Sequence, residues 1–541
     1  MDDSWPLKLF YDPSFHYSQS NPITLVTLKS LLADRALTVK RPRAQPPSLI
    51  FSLPAEMLAE VFMQVTAEDQ SPEDLRAPMR GHFMLAQVCG LWRAVALHTP
   101  ALWCCVILHL GTRKSGFGGI TRLARACFER SCELPLALVI TTSVENASNI
   151  PNLCMDLVLP VRHRVRHLEL RLPAVFTESL FKLPRNSLKA LKSITVYAAT
   201  VSSMESGVWF RSMSALEGAP LLDRVKLGCT HPLLQSVGDT MARQMVAVRL
   251  DPYVAGLPWT QLTELDLDYL ELRSDDALYA LEMCTALERC TIEVRVMPPL
   301  QPTIAFTLFP PQPTDPPPPP PKPKPPVTVP ALRVLALMLA GHDSAPTDFF
   351  DRLILPALTD LSIAYRGDAR PLPCETLLEL QKRSAPMSLE RLRVVNRKGD
   401  SLLPFLESNP QLVDVQLVLC AQRLAPVARA LTCKADGEEP VLLPALRSLV
   451  LLDQWAEESS PTAWTGATKA LLEMARSRWK LRDGVQRLKE LQFGSFIAVS
   501  AKRAERFEVL REKGMDLRIM NSEARLRTGT SMGWAMPDHR W

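Results

Sequence analysis

The chain has 541 residues, of which 47% are hydrophobic and 6% aromatic, and a formal net charge of +5. That length accommodates several domains or one long repetitive body, with enough apolar residues for a large core. The charge is too small for a dedicated nucleic-acid binder, which shows a strongly basic face.

The twelve cysteines include no C-x-x-C pair, so the usual zinc-ligand spacing is missing. They read as reduced thiols of an intracellular protein. No basic, then apolar, then small-residue leader opens the chain, and no apolar run reaches the roughly 18 residues of a membrane span. The expectation is a soluble protein of the cytoplasm or nucleus, with no membrane and no nucleic acid among its partners.

Residues 1–50 are broken by Pro6, Pro13, Pro22, Pro42, Pro46 and Pro47. They read as a polar, mostly disordered leader, with one helix over Ile23–Val39 and a linker over Arg41–Ser48. The densest apolar signature follows, in residues 51–105. Pro54 stands where a helix begins, since its fixed φ suits a first turn. Met57, Leu58, Val61, Phe62 and Val65 then share one helical face. A polar loop over Thr66–Arg80 ends this helix. A second helix is expected from about His82 to Leu97, with Phe83, Met84, Val88, Cys89, Trp92, Val95 and Ala96 on a broad apolar face. Thr99 and Pro100 stop it, and Leu102 and Trp103 return to the core. A domain of this size buries little surface by itself, so part of its apolar surface is expected to be an interface.

These residues resemble an F-box, in a form similar to that of the expanded mushroom families of fungal F-box proteins. The resemblance rests on the Leu53-Pro54 opening, the Glu56-to-Phe62 helix, Val88-Cys89-x-x-Trp92-Arg93 and Thr99-Pro100-x-Leu102-Trp103. It covers about a tenth of the chain, and its inter-helix loop is longer than in many members. The resemblance implies docking to the Skp adaptor, and through it to cullin, of a ubiquitin ligase. The adaptor-binding positions it implies are Leu53, Pro54, Met57, Leu58, Val61, Phe62, Val88, Cys89, Trp92, Leu102 and Trp103.

Residues 106–160 lead into a repetitive body over 161–520. The pattern L-x-x-L-x-L, with aliphatic substitutes, recurs as Val165-Leu168-Leu170, Leu191-Ile194-Val196, Leu222-Val225-Leu227 and Leu262-Leu265-Leu267. It continues as Leu287-Cys290-Ile292, Leu332-Leu335-Leu337, Leu358-Leu361-Ile363, Leu389-Leu392-Val394, Leu412-Val415-Leu417, Leu446-Leu449-Leu451 and Leu488-Leu491-Phe493. The alternating end of each unit has strand period. Short breakers precede several units, as Ala219-Pro220, Val329-Pro330, Leu355-Pro356, Asn409-Pro410 and Leu443-Pro444. Helical patterns, such as Leu377-Leu378-Leu380 and Leu402-Leu403-Phe405-Leu406, lie between units.

The body resembles an irregular leucine-rich repeat, although that family's Asn or Cys ladder position is mostly missing. The expected fold is mixed α and β: a small helical F-box followed by a solenoid with a curved parallel sheet and outer helices. Glu169, Asp266, Asp268 and Gln416 flank strand leucines and are expected on the concave face. A proline-rich insertion over 298–330, with PPPPPPKPKPP near its end, reads as an extended surface loop; Pro317, Pro320 and Lys322 fit the pattern of an SH3-like ligand. Residues 501–513 read as a helix, Gly514 as its stop and Leu517 with Ile519 as a last strand. Residues 521–541 read as a tail.

Catalytic constellations are absent from the sequence. There is no G-x-G-x-x-G, P-loop, H-E-x-x-H or G-x-S-x-G. His163 and His167 are four apart but lack a neighbouring carboxylate or thiol at ligand spacing, and the stretch also reads as the approach to a strand. The expectation is a non-enzyme with no cofactor and no metal, which binds an unidentified target protein as a ligase substrate receptor. The alternative is a protein-binding scaffold outside any ligase.

Overall fold

A computed structural model describes residues 53–68, 77–110, 117–142, 153–199, 213–230, 248–249, 256–296, 325–341, 347–366, 372–396, 401–433, 441–453, 460–480, 484–495 and 497–520. The sequence readings of a disordered leader and a C-terminal tail from residue 521 lie outside the described residues, as does the part of the proline-rich insertion expected over 298–330 that precedes residue 325. Its last residues are not an extended surface loop: Val327–Thr328 pairs in parallel with Leu353–Ile354, and Val327 and Val329 are buried, because these apolar side chains fill the core ahead of the next strand. The chain is mixed α and β, with a large open parallel sheet. It divides into two compact units, one from described residues of 1–109 and 115–139, the other from those of 110–114 and 140–528.

The first unit opens with helix α1 (Ala55–Glu68), α2 (Ala77–Val88) and α3 (Gly90–Leu97). Pro54 supplies the carbonyl that accepts the first helical hydrogen bond, from Leu58 N–H at 3.1 Å. α1 runs past Val65 to Glu68, and within it Thr66 is buried with its hydroxyl donating to the Phe62 carbonyl at 2.9 Å. Of the stretch Thr66–Arg80 expected as a loop, Thr66–Glu68 and Ala77–Arg80 are helical, and 69–76 lie outside the described residues.

The single helix expected from His82 to Leu97 is two helices. Cys89 adopts extended backbone (φ −158°, ψ 173°) and caps α3, its thiol accepting from Trp92 N–H at 3.4 Å. The following Gly90 weakens any continuous helix by roughly 1 kcal/mol relative to alanine, so the break falls where helix propensity is lowest. After α3, Thr99 donates its hydroxyl to the Val95 carbonyl at 2.7 Å, and a 3₁₀ turn covers Pro100–Trp103. Strand β1 (Cys105–Leu110), helix α4 (Phe117–Arg130) and strand β2 (Leu136–Thr142) complete this region, with β1 beside β2 in the sheet.

In the second unit the strands are β3 (Val165–Pro173), β4 (Ser193–Ala199), β5 (Arg224–Thr230), β6 (Glu264–Arg273), β7 (Arg289–Val296) and β8 (Val334–Gly341). They continue as β9 (Asp360–Arg366), β10 (Arg391–Asn396), β11 (Asp414–Leu419), β12 (Ser448–Leu452), β13 (Glu490–Gly494) and β14 (Asp516–Met520). Each pairs in parallel with the next in chain order. The register fulfils the sequence pattern residue by residue. Leu168, Ile194, Val225, Leu265, Cys290, Leu335, Leu361, Leu392, Val415, Leu449, Leu491 and Leu517 form one row across the sheet, and every one is buried. Burying each such side chain contributes about 1.5–3 kcal/mol.

The breakers are turns. At Ala219–Leu222, Val329–Leu332, Leu355–Leu358, Asn409–Leu412 and Leu443–Leu446 the last N–H donates to the first carbonyl at 3.2–3.4 Å. Proline occupies the second position of each, where its φ matches a β-turn. The first and last residues of every one of these turns are buried. Each turn therefore bends the chain into the next strand while plugging the core at both ends. Asn409 adds a side-chain bond, from Nδ2 to the Phe405 carbonyl at 2.7 Å.

The 28 positions from 297 to 324 do not interrupt the sheet, since β7 and β8 pair from Arg289↔Val334 to Val296↔Gly341. β6 carries an irregularity between Leu267 and Glu271 that no sequence signal announced. Helices Cys374–Arg383, Leu403–Glu407 and Ala501–Glu512 occupy the expected positions, and Gly514 follows the last of them with φ +96°. The 19-residue helix Pro461–Trp479 was not foreseen. It buries Arg478, whose Nε donates to the Leu431 carbonyl at 2.7 Å and whose two terminal nitrogens donate to the carbonyls of Leu443, at 2.9 Å, and Leu442.

Candidate docking site

The face of α1 that looked single in the sequence is two adjacent stripes with different fates. Leu58, Phe62 and Thr66, four residues apart, turn into the unit's own core. Leu53, Met57, Val61 and Val65, also four apart, remain exposed, Met57 to 54%. A spacing of four keeps side chains on one side of a helix, so the second set forms an apolar stripe open to solvent. Pro54 is exposed at its head. Around the α2–α3 break lie three more exposed apolar side chains: Met84, Val88 and Leu91, at 66%, 57% and 43%. These seven are most of the large hydrophobic residues that are exposed among the described residues; the others are Leu134, Leu221 and Val509. Concentration of that kind marks a contact surface rather than chance exposure.

The buried set explains how so small a unit holds this surface rigid. Phe62 packs on Trp92 with ring centroids 5.0 Å apart. Trp103 is fully buried; its indole N–H donates to the Ala96 carbonyl at 2.9 Å. Phe83 meets its ring edge-on at 5.8 Å, and the Arg130 guanidinium lies 4.6 Å from its centroid. Arg93 donates from Nε to the Ala86 carbonyl at 2.8 Å, tying α3 to α2 across the break.

Of the sequence-derived positions, Leu53, Pro54, Met57, Val61 and Val88 are therefore on the surface. Cys89 and Trp92 are half-buried, and Leu58, Phe62, Leu102 and Trp103 are core. The last four position the surface residues rather than present themselves. Sequence reasoning missed Met84 and Leu91 as surface residues, and it placed Val65 on the apolar face of α1 without counting it among the docking positions. The four-residue spacing of Leu53, Met57, Val61 and Val65 was the available signal, but it is indistinguishable from a core-facing stripe until the neighbouring helices are placed.

The second unit presents a polar row on the sheet, formed by Glu169, Thr195, Lys226, Asp266, Thr291, Ala336, Ser362, Arg393 and Gln416 in register. Its charges are largely internal pairs: Arg171 with Glu169 at 2.7 Å, Lys226 with Asp266, and, in the adjoining row, Arg391 with Asp360. The side chain of Asp268 lies outside the described residues. No group of three or more potential metal ligands occurs among the described residues, and no described helix is long and apolar enough to cross a membrane.

His167 belongs to β3, not to a helix shared with His163. Its Nδ1 and Ser193 Oγ share a 2.7 Å hydrogen bond. Burial, then the positive charges of Arg224, Arg166 and Lys192, hold its pKa down to about 4 from an ordinary 6.5. The folded state thus resists a proton that the unfolded chain accepts. Its contribution to stability is complete above about pH 6.5 and declines as pH falls toward 4. His167→Gln is expected to flatten the pH dependence of the urea midpoint in that window. A variant with an unchanged slope there contradicts the assignment.

Compared with models of known protein families and with curated protein sequences, the chain has no match.

Proposed function

We propose that the chain is the substrate-recognition subunit of a Skp–cullin–F-box ubiquitin ligase. In this reading residues 53–103 are an F-box-like module that docks the Skp adaptor. The second unit is a leucine-rich-repeat-like solenoid that binds a target protein. The observation that carries the reading is the exposed stripe Leu53, Met57, Val61 and Val65, set on helices whose other faces are consumed by their own core. A small module that leaves four apolar residues of one helix stripe exposed while completing a core with the adjacent stripe is built to be covered.

The parallel sheet with one repeat per strand supports the second half of the reading, since stacked repeats offer an extended surface without a catalytic cleft. The chain would perform no bond chemistry. It would hold the target beside a ubiquitin-loaded enzyme and raise the effective concentration of its lysines.

The test is co-purification. The full chain is expected to retain a Skp adaptor together with a cullin, and Leu53→Ala with Pro54→Ala to lose both. Retention of the adaptor by the double variant refutes the docking face. Capture of adaptor without cullin converts the reading to a scaffold outside any ligase.

A further inference from the structure

The exposed apolar surface of the helical unit contains two thioethers. Met57 is 54% exposed on the α1 stripe, and Met84 is 66% exposed on α2, one turn before Val88. Among the described residues every other methionine side chain is more enclosed. Met63, Met155, Met283, Met338 and Met520 are half-buried, and Met213, Met387, Met474 and Met515 belong to the core. The open thioethers therefore coincide with the surface assigned above to docking. Apolar contact alone does not call for sulfur, since leucine and valine fill that role at Leu53, Val61, Val65, Val88 and Leu91.

Sulfur sets these two positions apart chemically. Methionine and leucine bring similar apolar bulk to a contact, but only the thioether reacts with mild oxidants, and the sulfoxide it becomes is polar. Met57 stands one helical turn from both Leu53 and Val61, and Met84 one turn from Val88, all of them exposed. A sulfoxide at either place sets a hydrogen-bond acceptor among hydrocarbon neighbours. Covering it with an apolar partner removes its water without supplying a donor, so a favourable contact becomes an unfavourable one. The thiols of this unit are placed differently: Cys89 is half-buried and accepts from Trp92 N–H at 3.4 Å, and the exposed Cys132 follows helix α4.

We propose that Met57 and Met84 are oxidation sites that switch the docking surface off. In the free chain an oxidant of the peroxide class converts both to sulfoxides, and the oxidised surface no longer takes its partner. The thioether sulfur attacks one peroxide oxygen, so that an S–O bond forms as the O–O bond breaks. Sulfur is oxidised by two electrons and the peroxide is reduced. The departing oxygen leaves as hydroxide and takes up the proton released from the transferred oxygen, giving water. A methionine sulfoxide reductase, drawing its electrons from a dithiol, returns the thioether, so the switch is reversible. The proposal rests on the docking reading and adds its regulation. Docking covers Met57, so bound adaptor and oxidant oppose one another, and an assembled complex resists a treatment that blocks the free chain.

The test treats the full chain with hydrogen peroxide and reverses thiol oxidation with dithiothreitol. Peptide mass spectrometry then maps sulfoxide, and purified Skp adaptor is titrated against treated and untreated chain. Met57 and Met84 are expected to oxidise roughly tenfold faster than the core residues Met474 and Met515. The oxidised chain is expected to bind adaptor about tenfold more weakly, and sulfoxide reductase to restore the affinity. Circular dichroism checks that the treated chain stays folded.

Met57→Leu with Met84→Leu removes both thioethers and keeps apolar bulk. Whatever its starting affinity, peroxide is expected to change that affinity less than about twofold. Met155→Leu with Met283→Leu, which removes two half-buried thioethers of the second unit, keeps the parent's response. Similar oxidation rates at the exposed and core methionines, an unchanged affinity once both sites are sulfoxides, or the full loss in the Met57→Leu, Met84→Leu variant overturns the proposal. A chain that captures no adaptor before peroxide refutes the ligase reading and takes the switch with it. A chain that captures adaptor equally well before and after oxidation refutes the switch alone.

Discussion

Met57→Glu combined with Val61→Glu is expected to abolish capture of a Skp adaptor while leaving the protein folded. Both side chains lie on the exposed stripe of α1, Met57 with more than half its surface in solvent. Glutamate has good helix propensity, so the helix tolerates the exchange. On docking, each residue would contribute about 1 kcal/mol through its still-exposed apolar surface. Each introduced carboxylate would instead require desolvation against an apolar partner, costing a further ~1–3 kcal/mol. The sum is about 4 kcal/mol or more, which corresponds to a loss of roughly a thousandfold in affinity. Surface plasmon resonance against purified adaptor measures this, and circular dichroism checks the fold. The companion change Phe62→Ala separates surface from support: it is expected to cost ~3–5 kcal/mol of stability, because Phe62 is fully buried beneath Trp92. If the double glutamate variant binds the adaptor as the parent does, the exposed stripe has another purpose.

The second unit was legible because its signal is both local and repeated. A leucine triplet placed in one strand is ambiguous, but the same triplet recurring, several times just after a proline turn, fixes strand position and register together. The row from Leu168 to Leu491 consists of the second leucines of those triplets. The end of the chain was read for a similar reason, since Gly514 separates the helix Ala501–Glu512 from the strand Asp516–Met520. The helical unit was less legible. Its α2–α3 break depends on the extended backbone of Cys89, and a cysteine cap is a weak sequence signal beside serine or aspartate. Division of the α1 face into exposed and buried stripes depends on where α2 and α3 pack, which no spacing within α1 encodes. Lys226 with Asp266, 40 residues apart, likewise pair only once strand register brings them together.

The helix Pro461–Trp479 shows what repetition conceals. It replaces the short connections found elsewhere, and its Arg478 organises the approach to β12. Arg478→Ala is expected to be among the most damaging substitutions in the second unit. The guanidinium is buried, pairs with no carboxylate among the described residues, and donates instead to the carbonyls of Leu431, Leu442 and Leu443. Burial lowers its pKa below the usual arginine value, and the nearby Cys433 thiol partly opposes this. Leu443 itself holds φ at +52°, a left-handed conformation that costs a leucine roughly 1–2 kcal/mol. The buried side chain of Leu443, together with the bond from Arg478, keeps it there.

Truncation to alanine leaves three carbonyls without their donor and a cavity where the side chain lay. Relief of the buried charge offsets part of that loss, so the net is about 3–5 kcal/mol. Arg478→Lys retains a charge but not the fork that reaches separate carbonyls, and is expected to recover less than half. Arg478→Met restores apolar volume without donors. It distinguishes the two contributions: stability near the parent shows that the guanidinium merely fills space, whereas stability near the alanine variant shows that its bonds to the Leu431 and Leu442–Leu443 carbonyls hold the turn. Urea unfolding followed by tryptophan fluorescence reads all three, because Trp464 and Trp479 lie on the same helix. On the present geometry methionine is expected to fall close to alanine.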